Sequence, residues 1–124
     1  MAIIFPEYPG VTPLFPAWES PTNGIQAPVY AWHAFTSPNQ FISGSIATPR
    51  ALSDIPASVL ALVWYNSPPG VPERRTMDYG KGAGSTPYTF HLPDGTTRIN
   101  TTNLSSTAFT NLVTNLWAEL PYPP

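Results

Sequence analysis

Prolines interrupt this chain from Pro6 to Pro124: 17 of them in 124 residues, spread along its length and not gathered in one tract. That is about three times the usual ~5 %. A proline has no N–H to give to a sheet ladder, and its ring fixes φ at about −65°. Each one pushes its segment toward a strand edge, a turn or a polyproline-like stretch. Long regular elements are thereby excluded over most of the chain. Where the ring suits the native φ, each proline also stabilises by about 0.4–1 kcal/mol, because the unfolded chain has fewer states to lose.

The densest interruption comes first. Pro6, Pro9, Pro13, Pro16, Pro21 and Pro28 alternate with Phe5, Tyr8, Leu14, Phe15 and Trp18. These apolar residues follow neither a helical nor a two-residue period, so residues 1–28 read as an extended arm carrying separate anchors. Such an arm must lie on something apolar, either its own domain or a neighbouring subunit. Phe5, Tyr8, Leu14, Phe15 and Trp18 are the residues expected to make a contact with a partner.

Residues 29–124 read as one small β domain with a C-terminal helix, the whole chain being a single folding unit. Val29–Phe35 is rich in aromatic and β-branched residues and stops at Ser37-Pro38-Asn39, as a strand does before a turn. A second strand is expected from Phe41 to Thr48, with Gly44 marking a bulge or a close approach. Val59–Tyr65 is continuously apolar and fits a strand buried on both faces. Arg74–Tyr79 reads as a more solvated strand, followed by a glycine-rich loop over Gly80–Thr86. Tyr88–Leu92 and Thr96–Asn100 flank Pro93-Asp94-Gly95, which is hairpin chemistry. From Leu104 the period changes. Leu104, Ala108, Phe109, Leu112, Val113, Leu116, Trp117 and Leu120 form one stripe of a helix over about 104–120, with Asn103 or Ser105 as its cap and Pro121 ending it. The fold expected is mainly β: a small antiparallel sandwich or barrel-like sheet of about five to seven short strands, plus the arm and the helix.

Charge narrows the function. Charged residues make up only 10 % and the net charge is −2; Glu7 and Glu19 are the only charges before Arg50, and none lies between Asp54 and Glu73. Long uncharged surface suits a chain covered by other subunits. Five basic residues leave no electrostatic footprint for nucleic acid. Val59–Tyr65, the longest apolar run, is far short of the ~20 residues that cross a bilayer. The N-terminal residues lack a basic stretch and meet Pro6 early, so synthesis in a cytoplasm without a signal peptide is expected. With no cysteine there are no disulfides, thiol nucleophiles or cysteine metal sites.

The remaining motifs argue against catalysis. In Gly80-Lys81-Gly82-Ala83-Gly84-Ser85-Thr86 the lysine is followed by glycine, and Pro87 comes next, so the segment is not a phosphate-binding loop. His33 and His91 lack the local spacing of a metal site and read as structural histidines. A triad from Asp54, His33 and a serine has no nucleophile elbow to support it. Asn100 and Asn103 begin glycosylation-like triplets but suit turn and cap positions better. No enzyme, cofactor or metal is expected. Trp32, Trp64 and Trp117 sit in apolar runs and read as core, whereas Tyr8 and Trp18 are the rings most available for stacking on a sugar.

The expectation is a non-enzymatic structural or assembly protein that binds neighbouring protein subunits, as a homo-oligomer or within a larger assembly. Its proline-rich, charge-poor texture is similar to that of accessory proteins of tailed-phage virions in general: capsid decoration or cement, neck and tail subunits. No single motif carries that resemblance. A carbohydrate-binding β module using exposed aromatics is the alternative.

Overall fold

An apolar run with no polar face can only be satisfied if both of its sides are covered, and the run ending at Tyr65 meets that condition in the computed structural model. The structure describes residues 4–20, 24–79 and 87–124. The strands are β1 (Phe15–Glu19), β2 (Gln26–Val29), β3 (Ala31–Ser37), β4 (Gln40–Ser45), β5 (Ala61–Tyr65), β6 (Arg75–Asp78), β7 (Tyr88–His91) and β8 (Thr97–Asn100), followed by helix α1 (Ser106–Trp117). β4, β3, β5 and β6 form an antiparallel sheet in that order, and every residue of β5 is buried. Two-stranded sheets, β1–β2 and β7–β8, accompany it, and no barrel closes among the described strands.

The two-residue alternation of the central strands sorts the core into two layers. Trp32 and Ala34 of β3, with Leu62 and Trp64 of β5, face one way and pack with Trp18, Phe90 and Leu92. Ala31, Phe35, Val63 and Tyr65 face the other way and meet Leu112 and Leu116 of α1. The sheet is thus sandwiched between short hairpins and a helix. Gly44, expected to mark a bulge or a close approach, is opposite Trp32 in an unbroken part of the register, and the indole lies across it.

The segment expected to be an arm over residues 1–28 is more tightly built in than its prolines imply. β1 pairs with β2, Trp18 opposite Ala27, and the Trp18 ring lies 5.1 Å from that of Trp64. Pro16 sits in β1, where a two-stranded ribbon tolerates a missing donor, and the register slips between Phe15 and Trp18. This segment adds strands beyond the five to seven expected. The call of a glycine-rich loop over Gly80–Thr86 lies outside the described residues.

The hairpin β7–β8 turns through Gly95 at φ 89°, and Thr96 N–H donates to the Asp94 carboxylate at 3.0 Å. Asn100 and Arg98 fasten it by donating to the carbonyls of Val59 (2.6 Å) and Ile55 (2.8 Å). Ser105 caps α1, its hydroxyl accepting from Ala108 N–H at 3.1 Å. The helix ends before Pro121, and Arg75 donates to the freed Ala118 carbonyl at 2.8 Å, a cation where the helix dipole favours one. Trp117, expected in the core, is 63 % exposed. Leu112 and Leu116 hold the centre of the stripe, and Trp117, a residue on from Leu116 at 3.6 per turn, falls on its outer edge. Beyond the helix the chain turns back over the sheet: Tyr122 OH donates to the Ser67 carbonyl at 2.9 Å, and the Ser45 hydroxyl donates to the Pro124 carbonyl.

A methyl group at Gly44 would come within 2.9 Å of three atoms of the Trp32 ring, which is fully buried and has no room to move. Gly44→Ala is expected to lower stability by about 1–3 kcal/mol, seen as a lower urea midpoint at unchanged slope.

Candidate functional site

Only the first residues of the expected arm remain as a surface feature. Val11 N–H reaches the Tyr8 carbonyl at 3.4 Å across Gly10, whose φ of 78° suits a residue without Cβ. Before this turn the backbone lies along β2: Ile4 bridges Gln26 in parallel, and Phe5 N–H donates to the Gln26 carbonyl at 2.8 Å. Tyr8 N–H donates to the buried Tyr30 hydroxyl at 2.8 Å, and the two rings meet edge to face at 6.0 Å. Backbone bonds therefore hold the segment while its side chains form walls.

Those walls are Phe5, Pro6, Glu7, Tyr8 and Pro9, joined by Arg74 from the loop before β6, around an open groove of about 340 Å³. The Arg74 guanidinium carbon lies 4.1 Å from the centre of the Phe5 ring. A cation on an aromatic face is worth about 0.5–1 kcal/mol when exposed. Among the described residues Arg74 has no acidic partner, since the ion pairs present are Arg50–Asp54 and Arg75–Glu73. The groove offers apolar walls, one cation, and one carboxylate on Glu7.

The five residues singled out from the sequence separate into two groups. Phe5 and Tyr8 come together at the groove, each half-buried. Leu14 and Phe15 pack against the core beneath β1, and Trp18 is 7 % exposed and covered by Trp64. Trp18, the ring the sequence offered for stacking on a sugar, is thus taken into the fold. Glu7 and Arg74 were not singled out. Part of the signal was present, because Glu7 is an isolated charge and Arg74 belongs to the Glu73-Arg74-Arg75 cluster that ends a long uncharged stretch.

The titratable groups are arranged as structural pairs. Asp54 pairs with Arg50 at 3.4 Å, and His33 Nδ1 meets the Tyr65 hydroxyl at 3.0 Å, so the Asp54–His33 pairing a triad would need is not formed. Among the described residues no three His, Asp or Glu side chains converge as a metal site would require. Asp78, in β6, is buried and accepts from the Tyr88 hydroxyl at 2.6 Å, while its Oδ2 has no partner among the described residues. Burial raises its pKa above the ordinary carboxylate value, against the pull of Tyr88 and of the charge on His91. In the other direction, burial and then the Asp78 carboxylate push the Tyr88 phenol up. Compared with known proteins, the chain matches no family model, no curated protein and no solved structure.

Because the fold favours the protonated form of Asp78, its contribution to stability is largest at or below the ordinary value of 3.8 and declines as pH rises through the raised one. Asp78→Asn, which mimics the protonated acid, is expected to remove that decline. Urea midpoints from pH 4 to 7 check this, and parallel pH profiles for the two proteins refute it.

Proposed function

We propose that this chain is a non-enzymatic assembly protein, an accessory subunit of a larger particle such as a virion decoration, neck or tail protein, which clamps neighbouring subunits. The groove at residues 5–9 with Arg74 supports this reading most directly. It retains two of the contact residues expected from the sequence, and aromatic and proline walls are the surface on which an extended segment of a neighbour docks. Glu7 and Arg74 at its edges would orient that segment by charge. Three further features favour the same reading. The helix α1 carries no charged residue, Trp117 is exposed on it, and Ile4 and Ile99 are exposed as well.

A protein contact fits the groove better than a sugar does. One face of the Phe5 ring is already taken by Arg74, and Tyr8 is engaged edge to face with Tyr30, so neither ring is a free stacking platform. On this reading the working arm is the short stretch before Gly10; β1 and Trp18 serve the chain's own core.

The experiment is native mass by light scattering. The intact chain is expected as an oligomer or as part of a larger particle, and Tyr8→Ala with Arg74→Ala is expected to weaken association about tenfold or more, some 1.4 kcal/mol. Removing residues 1–9 should do the same, with the remaining chain still unfolding in one cooperative urea transition at a lower midpoint. A chain that is monomeric at high concentration and joins no particle overturns the proposal.

A further inference from the structure

The face of the central sheet under α1 holds a line of polar groups that crosses from β3 to the end of the chain. His33, 1 % exposed, meets the Tyr65 hydroxyl through Nδ1 at 3.0 Å. Arg75 lies directly opposite Tyr65 in the β5–β6 register, with its Nη1 buried and lacking a hydrogen-bond partner among the described residues. Arg75 also donates to the Ala118 carbonyl at 2.8 Å and pairs with Glu73 at 3.2 Å. Tyr122 then lays its ring on Tyr65 at 5.3 Å, and Leu120 packs beside it. Residues 118–124 are a strap fastened across this line, at Ala118 by Arg75, at Tyr122 by Ser67 and at Pro124 by Ser45.

The direction of hydrogen donation makes the line sensitive to one proton. A neutral His33 can accept the Tyr65 proton at Nδ1, with its own proton on Nε2. If His33 gains a second proton, Nδ1 can only donate, and the Tyr65 O–H must turn away from it toward Arg75, which has no acceptor to offer. A second positive charge also appears on the line that Arg75 occupies. Among the described residues that pack on the line none offsets it: β4 presents Phe41, the strap presents Tyr122 while its Glu119 is exposed to solvent, α1 has no charged residue, and the Glu73 carboxylate is engaged with Arg75.

We infer that the His33–Tyr65–Arg75 line is an acid-operated latch, in which protonation of His33 displaces Arg75 from the Ala118 carbonyl and frees the strap 118–124 from the sheet. The inference does not rest on the assembly reading. Burial, and then the charge of Arg75, hold His33 down to about 4 from its ordinary 6.5. The strapped state therefore has its full stability above pH 6.5 and loses it as pH falls toward 4. Burial, then Glu73, push Tyr65 up to about 12, so the phenol keeps its proton throughout.

A pH titration followed by NMR tests this on the full chain. The Leu120 methyl and Tyr122 ring signals are expected to move to free-chain positions together with the His33 ring signals, at a midpoint between about 4 and 6.5, while the Val63 methyls stay in place. His33→Gln is expected to abolish the movement. Glu73→Gln, which removes the other titratable partner of Arg75, is expected to keep it. Should His33→Gln not fold, Tyr65→Phe serves: His33 still titrates but the strap no longer follows. Strap signals that ignore the His33 titration, that still move in His33→Gln or Tyr65→Phe, or that change only when Val63 collapses too, overturn the latch.

Discussion

The pairing of β3 with β5 is the interaction on which the rest of this structure depends. Trp32 lies opposite Trp64 and Ala34 opposite Leu62 on one face, while Ala31 lies opposite Tyr65 and Phe35 opposite Ala61 on the other. Apart from His33 and the Tyr65 hydroxyl, the paired residues of both strands are apolar, so both faces must be covered. The chain meets this with whatever its prolines allow: two short hairpins on the indole face, and one helix with a returning tail on the other. Burying an indole of about 150–250 Å² returns roughly 4–6 kcal/mol, against about 1–3 for leaving its N–H unbonded. That difference explains how Trp32 and Trp64 can be fully buried with no partner for either indole nitrogen among the described residues.

Prolines then decide what the covering elements look like. They keep strands short and hold linkers rigid, so the covers are pinned by single polar contacts and not by long ladders. Asn100 on the Val59 carbonyl, Arg98 on that of Ile55, Tyr88 on Asp78, Arg75 on that of Ala118 and Tyr122 on that of Ser67 each fix one cover at one point. Point fastenings can be released separately. This gives the buried ionisable groups His33 and Asp78 their interest, since a proton at either acts on one fastening. Their effects have opposite sign: acid stabilises the fold through Asp78 and destabilises it through His33.

Much of this was legible in the sequence because it rests on local period. The run to Tyr65, the Pro93-Asp94-Gly95 hairpin, the Ser105-capped helix and the close approach at Gly44 all come from spacing or from residues with one strong conformational preference. Phe5 and Tyr8 were legible as separate apolar residues because prolines stand between them. β1 was not legible, since Pro16 argues against a strand unless its partner ribbon is known to leave that donor unneeded. Trp117 was misplaced for a related reason: a stripe eight residues wide identifies a helix but does not say how much of it the sheet is broad enough to cover.

By itself, then, the amino-acid sequence determined a single small β-rich chain ending in a helix, poor in charge and stiffened by proline, because composition and period act locally. Only the tertiary structure decided that Trp18 belongs to the core while Phe5 and Tyr8 border a groove with Arg74, and that His33, Tyr65 and Arg75 stand in line beneath the strap. These groups come from residues far apart in the chain, and strand register, which no local pattern encodes, is what brings them together.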